Sequence, residues 1–390
     1  MGRNRQFDTI LFYEMKKILT ARTTLILFIF ITAYSVIQGK IQANQLDDFD
    51  IETRDLQRSI DGRPIDDALI AETAEAAYKL GMPFECWDYS NCIYMNLSHW
   101  LKQIADDNSK LTDYNSESIY QTRDSSVSES MNSMKLTENE KEYWQTQEEN
   151  LIKPIIWHCT EEINGLISTL ISLPLILLFM TTLLLSQIFA GEIKDKTDPL
   201  IKCTVGGWGD TYLAKVTAAF ICTLFLNIVI EAVTVLTSFF LWGKDTWNIP
   251  IQLFMPLTAY SMTIGQFIRA QLVMTTATCI LLTAVTCFLS EILKNPVAVM
   301  SGVFGSFLII NISSNRIPYS RRTFSQLLCL LSPIYMTSES ALCEYRLIGR
   351  SGHYLTALQF APILYIVLST ALIASGYFIY TNKKITHNEH

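Results

Sequence analysis

Residues 163–190 read INGLISTLISLPLILLFMTTLLLSQIFA, a stretch without a single Asp, Glu, Lys or Arg. About 20 mainly apolar residues suffice to cross the hydrocarbon core of a bilayer, so this run reads as a membrane span and sets the class of the protein. Runs of the same kind follow at 214–242, 264–290, 296–311 and 358–380, and a shorter one, TTLILFIFITAYSVIQ, precedes it at 23–38. The expected fold is therefore an α-helical polytopic membrane protein with six transmembrane helices. Composition agrees. Of 390 residues, 49% are hydrophobic and 17% charged, against roughly 25% charged in soluble proteins, which argues against an ordinary soluble enzyme.

Charge is unevenly spread. Residues 41–160 contain 23 acidic and 10 basic side chains, a balance of −13, while the rest of the chain carries 14 and 20, or +6, giving the overall −7. An acidic, water-exposed domain at 39–162 is thus inserted between spans one and two. A nucleic-acid partner is not expected, because such proteins display a basic patch or stripe.

Lys and Arg accumulate in short cytoplasmic loops. Arg3, Arg5, Lys16, Lys17 and Arg22 precede span one; Lys194, Lys196, Lys202 and Lys215 lie between spans two and three; Lys294 follows span four, and Lys383 and Lys384 follow span six. Six spans place all of these on one side, so the expectation is a multi-pass protein of the cell membrane with both termini cytoplasmic, including a tail at 381–390. The loop 315–357 then lies outside although it carries five arginines against two glutamates. Its middle, FSQLLCLLSPIYM (324–336), is too short and too interrupted by Pro333 to span, and reads as re-entrant or interfacial.

Residues 1–22 form a separate cytoplasmic signal. Phe7, Ile10, Leu11, Met15, Ile18 and Leu19 recur at helical spacing, with Lys16 and Lys17 off that stripe. This is an N-terminal amphipathic helix of the interfacial kind, expected to lie along the inner membrane surface.

The acidic domain is expected to be mostly helical, with helices near 66–80 and 136–151. Residues 106–133, rich in Ser, Asn and Asp, read as a mobile loop. Phe84, Trp87, Tyr89, Tyr94 and Trp100 cluster around Cys86 and Cys92, and a small core is a commoner use of such a cluster than a ligand face. Cys86 and Cys92 are open to two readings, free thiols or a local disulfide.

Catalytic signatures are missing from the sequence. No G-x-x-x-x-G-K-[ST] phosphate loop occurs, nor G-x-S-x-G, nor H-E-x-x-H, and no paired cysteine motif points to a metal. No catalytic or metal-ligating residue is therefore assigned, and this chain is not expected to hydrolyse ATP or to carry a cofactor. Polar residues within spans are costly and face protein or water. Asn227, Glu231, Thr234 and Ser238 follow one another at i, i+4, i+7 and i+11, one stripe along span three. Arg269 in span four is the expected partner of Glu231. The pair would latch a transport path or dimer seam, or serve as a purely structural buried pair.

The segment after span two carries a pattern: Phe189 at the end of the span, Glu192 three residues on, Thr197, Leu200, and Lys215 at the opening of span three. With the amphipathic N-terminal helix, six spans, LSEILKN (289–295) between spans four and five and LSP (331–333) before span six, it resembles the type-2 ATP-binding-cassette (ABC) exporter permease family. Lys196 stands where that family's pattern has a glycine, and the expected proline near Val205 and Gly206 is missing. The resemblance implies a permease subunit paired with a second copy of itself or a related permease. A separate ABC ATPase subunit would bind the ATP and Mg. The 191–213 segment, with Phe189, Glu192, Lys196, Thr197, Leu200 and Lys202, would dock on that ATPase as a coupling helix. An exporter of a peptide-like or amphiphilic molecule is the expected function. The alternative is a membrane sensor or immunity protein that binds a peptide or antibiotic through its outer domain without moving it.

Overall fold

The computed structural model describes residues 3–20, 24–27, 29–30, 32–34, 36–37, 59–79, 93–105, 110–159, 161–194, 207–242, 245–314, 316–317, 321–350 and 353–382. In chain order the helices are α1 (Arg3–Leu19), α2 (Thr24–Tyr34), α3 (Asp67–Lys79), α4 (Met95–Ile104), α5 (Ser116–Ser133) and α6 (Glu138–Glu149). They continue with α7 (Glu161–Leu185), α8 (Ala190–Lys194), α9 (Gly207–Trp242), α10 (Ile264–Leu293) and α11 (Pro296–Ser314). The last are α12 (Arg322–Leu331), α13 (Pro333–Thr337) and α14 (Ala357–Asn382).

Among the described residues, five stretches are long and apolar enough to cross a membrane: Gly165–Lys194, Gly209–Thr237, Ile264–Leu293, Pro296–Ser314 and Ala357–Asn382. A sixth arises if α1 and α2, bent by 58° at their junction, count as one. The outer face of α9 leaves Phe225, Ile228, Leu236 and Phe240 exposed. A soluble protein rarely leaves such a face uncovered, and lipid suits it. The chain is a helical protein of the polytopic membrane type.

Because successive long helices alternate in direction, the described residues of 59–159, 245–263 and 316–356 sit at one end of the bundle. The other end gathers the turn after α7, the Lys294–Asn295 turn, the end of α14 and α1. At the first end the three polar segments build one body rather than a domain with a separate loop. Trp100 donates through Nε1 to the Gln252 carbonyl at 2.9 Å. Arg123, fully buried, donates to the carbonyls of Pro256 at 2.8 Å and Thr258 at 2.7 Å. Trp144 donates to the Tyr345 carbonyl at 2.7 Å. The expectation of an outer domain confined to 39–162 is corrected accordingly: its core is completed by residues from two later loops.

This also accounts for arginines on the side where the positive-inside bias would not put them. Arg322 pairs with Glu140 of α6. Arg346 is buried against Glu344, with Nε 2.6 Å from Oε1, and also reaches Ser325 Oγ at 3.1 Å. Both guanidinium groups are committed to ion pairs within the acidic body. Burial works to raise the Glu140 carboxyl, but the Arg322 bond and those from Thr137 and Leu347 outweigh it and hold the group below its ordinary value.

The expected mobile loop at 106–133 is the clearest local correction. Residues 116–133 form an 18-residue helix. Asn115 caps it: its side chain accepts from the Ser118 N–H at 2.8 Å, and Ser118 Oγ accepts from the Asn115 N–H at 2.8 Å, a capping box. Ile119, Tyr120, Arg123, Val127 and Met131 are buried on one face. Tertiary burial overrides the poor intrinsic propensity of its serines and asparagine. The helices read near 66–80 and 136–151 are α3 and α6. Trp100 sits in the core beside Trp157, ring centroids 6.5 Å apart. Phe84, Trp87, Tyr89, Cys86 and Cys92 lie outside the described residues.

Residues 324–336 do break, at Ser332, whose hydroxyl accepts from the Tyr335 N–H to start α13. A short antiparallel hairpin, Ile348–Arg350 with His353–Leu355, follows and was not expected.

Candidate functional site

The turn leaving α7 places side chains from four parts of the chain around Lys215. Phe189 N–H and Ala190 N–H both donate to Ser290 Oγ of α10, at 3.2 and 3.0 Å, and Ser290 donates to the Ser186 carbonyl at 3.0 Å. One hydroxyl thus satisfies the Ser186 carbonyl after the end of α7 and two N–H groups at the start of α8, and fixes the turn to α10.

The fixed turn aims Glu192 of α8 at Lys215 near the start of α9. Lys215 is fully buried. Its ammonium pairs with Glu192 Oε1, lies 3.2 Å from Glu14 Oε1 of α1 and donates to the Ile188 carbonyl at 3.2 Å. It also stands 5.6 Å from the Phe189 ring centroid. Lys17, largely in solvent, adds a second cation 3.3 Å from Glu192 and 3.8 Å from Glu14 Oε2. Among the described residues the cluster holds two carboxylates and two ammonium groups, so their charges balance, as buried charge requires.

An aromatic layer encloses this clasp. Phe189 stacks on Tyr212 at 5.4 Å with planes 20° apart, and Tyr380 of α14 lies 5.5 Å from Tyr212 and 5.7 Å from Phe189. Glycine permits the approach of α14 to α9, because a Cβ on Gly376 would run into Tyr212 Oη. Tyr212 Oη donates to the Ile373 carbonyl at 3.1 Å. The turn and α8 are thus in contact with α1, α9, α10 and α14.

Phe189 and Glu192, expected on a docking surface, are instead buried within the chain. Lys196, Thr197, Leu200 and Lys202 lie outside the described residues, so the coupling segment is described only in α8 and from Gly207 onward, where α9 has already begun. The apolar stripe of α1 faces α9 rather than lying free for lipid. Ile18 is buried, Leu11 and Met15 pack beside it against Val216 and Ala219, and Phe7 and Ile10 are half-buried while Lys16 is exposed. The lower end of α9 supplies the core for this stripe, with no separate cytosolic domain needed. Phe12 and Tyr13, both 64% exposed, form the face left for lipid. Glu14 was missed, yet it sits three residues after Leu11 and four before Ile18, an acid on an apolar stripe. That is the signal of a buried partner.

A second polar group lies within the bundle. Asn227 Nδ2 is 2.9 Å from Glu231 Oε1 and 3.3 Å from Thr276 Oγ1, and Thr276 donates to Glu231 at 3.1 Å. Four residues earlier on α9, Thr223 meets Thr283 at 2.9 Å. Thr234 turns back to the Ile230 carbonyl; the Ser238 side chain lies outside the described residues. The expected Glu231–Arg269 pair is not formed. Glu231 is level with Thr276, seven residues or roughly 10 Å along the helix from Arg269, and Arg269 is exposed. The stripe is thus closed by hydroxyl and amide groups instead of a salt bridge. Among the described residues, no group of three or more His, Cys, Asp or Glu is placed to hold a metal ion.

The chain matches no known protein-family model and no curated protein.

Proposed function

We propose that this chain is the membrane subunit, or permease, of an ABC transporter that exports a peptide-like or amphiphilic molecule, driven by a separate ATPase subunit. The observation that carries the reading is the clasp of Glu14, Lys17, Glu192 and Lys215. It joins the N-terminal helix, the turn after the first long helix and the foot of α9, the segments through which the family it resembles receives the ATPase stroke. Side chains from packed elements in a neutral, buried network transmit a push rather than absorb it. With α1–α2 counted as one bent span there are six, both termini lie in the cytoplasm, and two permease chains enclose the path.

In this mechanism, closure of the ATPase dimer pushes α8 and the residues that follow it. The clasp passes the movement to α1 and α9, and α9 slides against α10 at Glu231 and Thr276. The acidic body outside would receive or release the cargo.

The test is affinity purification of the tagged chain in mild detergent, with an ATPase assay and mass identification of partners. Recovery of a P-loop ATPase, lost on Lys196→Glu while the thermal unfolding of the chain itself is unchanged, is the expected result. A chain that purifies alone and shows no turnover overturns the reading in favour of a sensor or immunity protein.

A further inference from the structure

A recess of about 610 Å³ opens where α1, α2, the end of α7 and the start of α11 meet. Its size falls within the range of small-molecule sites, and its lining is divided. Leu27, Leu183, Leu184 and Met300 form one half; Glu14, Lys17 and Lys194 stand at the other. These apolar residues belong to helix ends at the lysine-rich end of the bundle, so the recess straddles the level at which apolar helix gives way to charged chain.

The charges at the polar half are unequal. Lys17 is balanced by Glu14 and Glu192. Lys194 is exposed and makes no ion pair among the described residues. Glu14 holds Lys215 through Oε1, and its Oε2, closed to solvent, faces the Lys17 ammonium at 3.8 Å. The recess therefore presents one cation without an ion pair among the described residues, Lys194, beside an apolar slot.

We infer that this recess binds one anionic phospholipid of the phosphatidylglycerol type, with its phosphodiester at Lys194 and an acyl chain along Leu184 and Met300. Basic pockets between helices at a membrane face bind anionic headgroups. Phosphatidylcholine and phosphatidylethanolamine carry no net negative charge. Free phosphate leaves the apolar half unused. The lipid would brace α1 against α7 beside the clasp, and the inference rests on membrane insertion alone, not on the transporter reading.

The experiment is native mass spectrometry of the full chain, released from detergent, after titration with phosphatidylglycerol, phosphatidylethanolamine, phosphatidylcholine or inorganic phosphate. Phosphatidylglycerol should be retained best. Lys194→Glu should weaken its retention about fivefold or more, the factor that about 1 kcal/mol per lysine near an anionic surface provides. Met300→Trp, which fills the apolar half and leaves every charge in place, should also weaken it, and Lys110→Glu in the acidic body should not. Equal retention of phosphatidylcholine, indifference to Lys194→Glu, or retention of inorganic phosphate as strong as that of the lipid would each overturn the assignment.

Discussion

Thr276 Oγ1 stands 3.1 Å from Glu231 Oε1, and with Asn227 it closes the polar stripe of α9 without a cation. A carboxyl within the bundle that meets only amide and hydroxyl groups is a costly feature to retain for packing alone. Glu231→Gln preserves the shape and the bonds to Asn227 and Thr276, so thermal unfolding should be unchanged. In the transporter reading, cargo-stimulated ATP turnover should be lost. Arg269→Ala should alter neither. Normal turnover in Glu231→Gln removes the stripe from the transport path.

Lys215 and Lys17 touch the same two carboxylates from very different surroundings. Lys215→Met leaves Glu14 and Glu192 facing each other without their buried cation, and should cost about 3–5 kcal/mol of stability. Lys17 is 55% exposed, so Lys17→Met should cost no more than about 1 kcal/mol. Unfolding of the two variants in one detergent, followed by circular dichroism, measures the difference directly.

The contact of α14 with α9 depends on a missing side chain. Gly376→Ala drives a Cβ into Tyr212 Oη and should destabilise by about 1–3 kcal/mol, the usual cost of overpacking. Tyr212→Phe removes that oxygen and should recover part of the loss. A double-mutant cycle on unfolding midpoints would read the coupling, and additive effects would show that the clash is relieved elsewhere.

The acidic body should be acid-sensitive through two carboxylates. The bond from Arg63, then that from Tyr94, hold Glu72 down to about 2, from 4.5. Glu140 is also lowered: burial raises it, but the bonds from Arg322, Thr137 and Leu347 prevail. A carboxyl depressed in the folded state contributes stability that is present above its unfolded value and lost as pH falls through the folded one. The contribution of Glu72 should therefore fade between pH 4.5 and about 2, and that of Glu140 should begin to fade below 4.5. Trp144 fluorescence against pH would follow the loss, and Glu140→Gln should be less stable at neutral pH with a flatter acid limb.

The long helices were legible because each is a long apolar run with at most two charged side chains inside it, and a run such as 163–190, which has none, needs no knowledge of its neighbours. α5 was not legible: its period is carried by Ile119, Tyr120, Val127 and Met131, spaced among serines and interrupted by Arg123, whose burial depends on carbonyls more than 130 residues away. Lys215 read as a base beside a span and as the last residue of the Phe189–Glu192 pattern, but its burial was not legible, because nothing local distinguishes a lysine in a loop from one buried between two glutamates. Glu192 was picked out from its spacing, but its direction, inward rather than toward a partner, depends on Ser290. Arg322 and Arg346 looked like exceptions to a charge rule until Glu140 and Glu344 were placed beside them.

The acidic body is stitched from segments separated by long stretches of chain: Trp144 finds its acceptor at Tyr345, 201 positions later. Synthesis proceeds from the N-terminus, so α6 emerges long before its partners exist, and it waits with an indole N–H and the Glu140 carboxylate unmatched. Closure occurs only after α9, α10 and α11 have threaded the bilayer in alternating directions and delivered 245–263 and 321–350 to the same compartment. A helix inserted the wrong way round would strand those partners on the opposite face. Closure of the body thus requires α9, α10 and α11 to run in alternating directions, so that the Trp100, Arg123 and Trp144 donors meet their acceptors at one end of the bundle.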